Sequence, residues 1–339
     1  NEDPPLRGAG ACLPVNTLLR RRRKRIAREF RRCLRGQSAV SKNAPRVLPI
    51  DPNHRSTVEA FGATLIPLEP LGAVVQGLEL AVTTAPPLPV VQALEQTMAD
   101  RGFIVFRSER PLSPEHFLQA SCWWGGKALH STHGVHPATP GGNPDIFRLS
   151  NDTREGILGV GPQWHNDGSF NAGTFSHAGY HMVRAAEKGG GTCFAHQSAA
   201  YDALTPEQQA YWGRLSSVNA TSGVVHPLVH THPISNRSSV WLHLGMTGAV
   251  IMKDPDEDLF RLLDEQELRL LCHQYNDLLN AGFDDGYAIE FEYETNDCAF
   301  IDNLAVAHRA APQAHLPAKE QGLRIMHRST TRANEMLMP

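Results

Sequence analysis

The sequence predicts a mainly β protein whose helices lie outside its sheets. Short apolar or alternating segments surround the polar motifs of the second half of the chain, and the helical patterns fall outside them. The segment GYHMVRA at 179–185, for example, alternates apolar and polar residues as a half-buried strand does. These features favour a double-stranded β-helix, the jelly-roll form of a cupin-like core, with functional side chains in the mouth of a barrel.

Local signals place the individual elements along the chain. Apolar runs between turn residues predict strands, and caps or terminal glycines delimit helices. The predicted elements are strands at 63–68 and 72–80, a helix at 88–102 ending at Gly102, a buried strand at 103–107, a helix from Ser113 and Pro114 to about Cys122, the strand at 179–185, a helix opened by a capping box of Thr205, Pro206 and Gln208, and a long amphipathic helix at 256–279.

The composition is that of an enzyme-sized intracellular protein. The 339 residues are 41% hydrophobic and 20% charged, which is enough apolar material for a sizeable core. No run of eighteen apolar residues occurs, so no membrane span is expected. The six cysteines are scattered without a C-x-x-C pair and are expected to be reduced thiols.

Charge divides the chain into a basic arm, residues 1–50, and an acidic body, residues 51–339. The arm has 13 basic and 3 acidic residues, a net charge of +10, so the overall −3 leaves −13 on the body. Residues 16–36, NTLLRRRRKRIAREFRRCLRG, are predicted to form a basic amphipathic helix. Such a segment is typical of a mitochondrial or chloroplast targeting peptide, or of an arm that binds nucleic acid, anionic lipid or an acidic protein surface.

The segment GPQWHNDGSF at 161–170 carries the first candidate site residues. His165 and Asp167 are two apart in a segment that is predicted to be extended, so their side chains point to one face. One imidazole and one carboxylate are two of the three ligands in the 2-His-1-carboxylate facial triad of non-haem Fe(II). Taken alone, a histidine in an apolar stretch is more often a hydrogen-bonded core residue than a ligand.

Further candidates lie near the C-terminus, in CAFIDNLAVAHRA at 298–310 and LRIMHRST at 323–330. The first segment leads through a turn at Asp302 to His308, which is placed to be a third ligand. In the second, Arg324 and Arg328 are four apart and would share one face of a strand. Two guanidiniums beside a metal site indicate recognition of an anion such as a carboxylate or sulfonate.

The chain resembles the taurine dioxygenase family of Fe(II)- and 2-oxoglutarate-dependent dioxygenases over about residues 60–332. Six blocks in the family's order carry the resemblance, and their agreement is far more specific than any one motif. The blocks are WHND at 164–167, GGGTCFAHQSAAYDAL at 189–204, HPLVHTHP at 226–233, LHLGMT at 242–247, NDCAFIDNLAVAH at 296–308 and RIMHR at 324–328.

The resemblance implies a role for each matching residue. His165, Asp167 and His308 would bind Fe(II), while Arg324 and Thr192 would hold the distal carboxylate of 2-oxoglutarate. Arg328 and His130 would contact the primary substrate. It also implies the jelly-roll fold and the use of O2.

The expected reaction is hydroxylation of a small, anionic molecule, with a taurine-like sulfonate as one candidate, and release of succinate and CO2. Three protein ligands leave room on the iron for 2-oxoglutarate and O2. The chain departs from the family in a longer segment at 309–323 and in His230 and His243, so the substrate stays open. Homo-oligomerisation also stays open.

Two other interpretations remain at this stage. A catalytically idle subunit could use the same fold and be anchored in a larger assembly by the basic arm. A zinc hydrolase could use the same three ligands, but it would not need Arg324 and Thr192. Arg328 could be a surface ion-pair residue, and His130, His133 and His136 could form a zinc site, although a solvated loop fits their surroundings better.

Overall fold

The computed structural model describes residues 47–82, 85–124, 133–254, 259–332 and 337. The helices are α1 (Pro52–Ala60), α2 (Leu88–Arg101), α3 (Pro114–Ser121), α4 (Gln197–Ala203), α5 (Pro206–Trp212), α6 (Glu265–Asp285) and α7 (Ala318–Gln321), with short 3-10 helices at Leu80–Val82 and Pro140–Gly142. The strands are β1 (Thr64–Pro67), β2 (Ala73–Gln76), β3 (Phe103–Phe106), β4 (Phe147–Ser150), β5 (Phe175–Arg184), β6 (Thr192–His196), β7 (Leu215–Asn219), β8 (Val225–Pro227), β9 (Val229–Thr231), β10 (Ser238–Val240), β11 (Thr247–Lys253), β12 (Phe260–Leu262), β13 (Ala288–Phe291), β14 (Cys298–Asp302), β15 (Val306–Ala310) and β16 (Ile325–Arg332).

Two sheets form the barrel that carries the site. The larger has the strand order β1-β2-β3-β14-β5-β16-β4, and the smaller has the order β13-β6-β15. One apolar cluster joins them, and Phe103 of the larger sheet stacks on Phe194 of the smaller with ring centroids 4.6 Å apart. The chain crosses between the sheets in the turn from β14 to β15. This is the predicted mainly β, jelly-roll architecture with helices outside.

Local signals located several elements correctly. Strands β1, β2 and β3 lie within the predicted segments, and α2 ends at Gly102, whose φ is +84°. Ser113 caps α3 by accepting a hydrogen bond from the His116 N–H. The capping box that opens α5 is present in full. Helix α1 was not predicted, although Asp51 caps it.

Two predictions of local structure were wrong. The long helix begins at Glu265 rather than at 256, because Phe260–Leu262 instead pairs with β11 as an edge strand and Asp264 caps the helix that follows. Strand β5 is almost wholly buried rather than half-buried, because β14 and β16 flank it and both of its faces are covered.

The division between arm and body stays a prediction, because residues 1–46 lie outside the described part of the chain. Val47 and Ile50 are buried in the core, and the main-chain oxygen of Leu48 accepts a hydrogen bond from Arg101 at 3.0 Å. Val47, Leu48 and Ile50 therefore already pack on the body. Among the described residues, no helix is both long and apolar enough to span a membrane.

Candidate active site

His165 and His308 are held side by side by a β-bridge between their segments. The His165 N–H donates to the His308 oxygen at 3.0 Å, and the His308 N–H donates to the His165 oxygen at 2.9 Å. The extended segment predicted at 161–170 is therefore limited to this bridge. The Nδ1 of His165 lies 2.8 Å from the Gln163 oxygen, which fixes the proton on Nδ1 and leaves the Nε2 lone pair for a ligand.

Asp167 lies in the turn after the bridge, and Asn303 fixes its main chain. The Asn303 side chain accepts from the Asp167 N–H at 2.8 Å and donates to the Asp167 oxygen at 2.9 Å and the Phe175 oxygen at 2.7 Å. Arg328 donates to Asp167 Oδ1 at 2.8 Å. The other oxygen, Oδ2, is buried without a partner and lies 3.8 Å from His308 Nε2.

Burial and charge give these groups the protonation states that a metal site needs. Burial, partly opposed by Asp167, lowers the pKa of His165, and burial lowers the pKa of His308 well below its usual value. Burial opposes ionisation of Asp167, but the charge of the Arg328 guanidinium at 2.8 Å leads the effects that outweigh burial and hold the pKa well below its usual range. At neutral pH the site therefore offers two neutral imidazoles and one carboxylate.

The three side chains fit a divalent metal of the iron type. One ligand atom from each lies within 4.8 Å of the other two, and all three residues are buried. Two imidazole nitrogens and one carboxylate oxygen are the donor set of the Fe(II) facial triad, and the uncompensated Oδ2 of Asp167 is a buried donor atom without another role.

A cleft opens beside these residues. The cleft is lined by Arg324, Arg328 and Thr192 together with the two histidines. A bulge between Ile325 and Met326 interrupts the strand pairing next to Arg324. Burial lowers the pKa of Arg324, and no ion pair joins its guanidinium to any described carboxylate. Thr192 Oγ1 accepts from the Tyr293 hydroxyl at 3.1 Å. The cleft can therefore take an anion at Arg324.

Of the two residues predicted to contact the substrate, Arg328 lies within the described part of the chain and His130 does not. Arg328 lies over the Phe147 ring, 4.8 Å from its centroid, in addition to its bond to Asp167. His130 lies outside the described residues. His133, from the same histidine-rich segment, stacks on Phe147 with ring centroids 4.1 Å apart, so this segment does approach the site. His136 contacts the Thr153 oxygen instead.

Of the positions at which the sequence departs from the family pattern, some lie at the candidate site and one lies away from it. The longer segment at 309–323 contributes Ala314 and His315 to the lining of the cleft. His243 packs beside His165 with ring centroids 5.0 Å apart, and burial lowers its pKa to about 3. His230 is buried on β9 and does not line the cleft.

Sequence reasoning missed two groups of polar residues. Asn166 donates to the Gln197 side chain at 3.0 Å, and Gln197 donates to the Tyr275 hydroxyl at 3.1 Å, which anchors the ligand segment on α4 and α6. Tyr180, on β5, contacts His308 Nε2 through its hydroxyl at 2.9 Å. Neither group has a signature in the sequence, because each bond joins residues distant along the chain.

Comparison with known proteins agrees with this arrangement. The family described as taurine catabolism dioxygenase TauD, TfdA family matches residues 64–330. The alpha-ketoglutarate-dependent sulfonate dioxygenase of Saccharomyces cerevisiae is 22% identical over 261 residues, which cover 67% of this chain and 58% of that protein. Pentalenolactone F synthase of Streptomyces arenae is 27% identical over 299 residues, covering 77% of this chain and 93% of that enzyme. The chain therefore spans little more than half of its yeast relative.

Solved structures share the fold. A taurine dioxygenase from Burkholderia xenovorans superposes with a TM-score of 0.64 at 20% identity, covering 82% of this chain and 91% of that one. AAD-2, solved in complex with Mn(II) and N-oxalylglycine, gives a TM-score of 0.63 at 21% identity, covering 81% and 99%.

Proposed function

Because the chain belongs to the TauD, TfdA family of dioxygenases, we propose that it is an Fe(II)- and 2-oxoglutarate-dependent dioxygenase that hydroxylates a small substrate. Members of the family use Fe(II), 2-oxoglutarate and O2. The observation that carries the proposal is that the cluster of His165, Asp167 and His308 lies beside a cleft that is lined by both histidines and by the buried Arg324.

Each residue has a distinct task in this proposal. His165, Asp167 and His308 hold the metal on one side and leave its other side open to the cleft. Arg324 and Thr192 bind the distal carboxylate of 2-oxoglutarate, whose charge needs a fixed cation in a buried site. When bound, Fe(II) and 2-oxoglutarate together reduce O2, so that one oxygen atom enters a substrate C–H bond and the other enters succinate, with release of CO2.

For the primary substrate, a small anion is the class we propose, with a sulfonate as the first candidate. Arg328 supports this class, since its planar guanidinium lies at the cleft and suits bidentate binding of an anion. The yeast relative is named a sulfonate dioxygenase, whereas the Streptomyces relative is named pentalenolactone F synthase. Relatives therefore differ in substrate, and a panel of sulfonates and carboxylates is needed.

The test of the dioxygenase activity is formation of succinate from 2-oxoglutarate with Fe(II), measured across that panel. His165→Ala removes one metal ligand and should abolish both succinate formation and tight metal binding. His273→Ala is the matched control, because His273 is exposed on α6. A protein that binds iron but forms no succinate with any substrate would contradict the proposal. No described residue favours the alternative of an idle subunit.

The role of the basic arm is a separate proposal, since residues 16–36 lie outside the described part of the chain. We propose that this segment directs the chain to an organelle, and an anionic binding partner is its alternative. Fusing residues 1–50 to a fluorescent protein should send the fusion to mitochondria or chloroplasts. A diffuse distribution of the fusion would contradict targeting.

Whether the chain forms a homo-oligomer is a separate question, which light scattering of the full chain would answer.

A further inference from the structure

Tyr180 is a polar side chain that contacts a metal ligand and that the proposed function leaves without a task. It lies on β5, between β14 and β16, and it is 4% exposed. Its hydroxyl is 2.9 Å from His308 Nε2, the nitrogen that faces Asp167 Oδ2 across 3.8 Å. The phenol thus contacts the atom that a metal would take.

The direction of this hydrogen bond follows from the chemistry of the two groups. A phenol carries a proton that it can donate, whereas a neutral imidazole has one N–H and one nitrogen lone pair. In the tautomer with the proton on Nδ1, the one that a metal on Nε2 requires, Tyr180 donates and Nε2 accepts with the lone pair that would otherwise bind the metal.

A metal that binds Nε2 ends this hydrogen bond. The Tyr180 hydroxyl is then a buried donor without a partner, which is costly unless an acceptor arrives. Both Arg324 and Arg328 interact electrostatically with the hydroxyl, and Tyr180 lines the same cleft as Thr192. Tyr180 thus contacts a metal ligand and lines the same cleft as the cation that would hold the distal carboxylate of 2-oxoglutarate.

We propose that Tyr180 competes with the metal for His308 in the metal-free protein and, once the metal is bound, donates its hydrogen bond to an oxygen atom of 2-oxoglutarate. This inference rests on the proposed function. It makes Tyr180 both a cosubstrate-binding residue and a link between the two binding steps. Metal binding to His308 frees the Tyr180 hydroxyl, which then donates a hydrogen bond to 2-oxoglutarate.

The test is Tyr180→Phe, which removes one oxygen atom and keeps the ring. Two affinities are measured by calorimetry: Mn(II) for the metal-free chain, and 2-oxoglutarate for the Mn(II)-loaded chain. The variant should bind Mn(II) about threefold to tenfold more tightly and 2-oxoglutarate about tenfold more weakly, as expected for one hydrogen bond lost from each state. A purely structural role would not move the two affinities in opposite directions.

Tyr287→Phe is the matched control. Tyr287 is buried, and its hydroxyl donates to the Leu278 oxygen at 2.6 Å, away from the cleft. This variant should leave both affinities unchanged. If Tyr180→Phe shifts only one affinity, shifts both in the same direction or shifts neither, the role of Tyr180 is wrong and the dioxygenase proposal stands. If the unsubstituted, metal-loaded chain fails to bind 2-oxoglutarate, both proposals are overturned.

Discussion

Two buried arginines in this chain differ in how far the chain itself satisfies their guanidinium groups, and this difference separates a structural role from a candidate binding role. The guanidinium of Arg101 donates to three main-chain oxygens at 2.6–3.0 Å, so the chain itself satisfies it. Arg324 has a buried Nε without a partner, and among the described residues its guanidinium donates one hydrogen bond, from Nη2 to the sulfur of Met326 at 3.9 Å. A buried cation that its own chain does not compensate is costly to stability, which is the expected signature of a residue kept for a ligand.

Replacing Arg324 by Gln should therefore weaken the binding of 2-oxoglutarate without lowering the stability of the fold. We expect 2-oxoglutarate affinity to fall roughly 10-fold to 100-fold, as for loss of a charged hydrogen bond, while the free energy of unfolding does not decrease. Arg324→Lys should lie between, since it keeps the charge without the planar fork. Arg101→Gln should instead destabilise the fold by about 3 kcal/mol. Calorimetry and urea denaturation measure these quantities, and equal stability losses in the two Gln variants would contradict the argument.

At the scale of elements, the sequence predicts those helix ends that are determined by residues a few positions apart. The ends of α2, α3 and α5 are set by caps within a few residues, and these were located correctly. The segment before α6 keeps a helical apolar period, yet β12 forms there because pairing with β11 outweighs that period. This strand depends on its pairing with β11, which the apolar period of the segment itself does not reveal.

The same distinction applies to the site. His165, Asp167 and His308 could be picked out because ligand types recur in recognisable blocks. Asn303 holds Asp167 across 136 positions of sequence, and Tyr180 reaches His308 across 128. Asparagine and tyrosine are common in many settings, so their type and spacing do not indicate these contacts. The three candidate ligands could therefore be identified from the sequence, whereas the residues that position them became visible only in the fold.

At the scale of the whole molecule, buried histidines make the fold sensitive to acid. Burial lowers the pKa of His196 and His230 to about 3 and that of His181 to about 4. In the unfolded chain these groups titrate near 6.5, so below that pH the unfolded state binds protons that the folded state does not. Stability should therefore decrease as pH falls from about 6.5 towards about 4.

His196 allows this effect to be measured at one position. Its Nδ1 accepts from the Ala199 N–H at 3.3 Å as the N-cap of α4, and Asn can make the same cap without titrating. Between pH 7.5 and 5.5, the unsubstituted chain should lose about 1 kcal/mol more unfolding free energy than His196→Asn, because one fewer proton binds its unfolded state. Urea denaturation at both pH values provides the measurement. His273→Asn, at an exposed position, should keep the original pH dependence. If His196→Asn keeps it too, protonation of His196 does not contribute to the acid sensitivity.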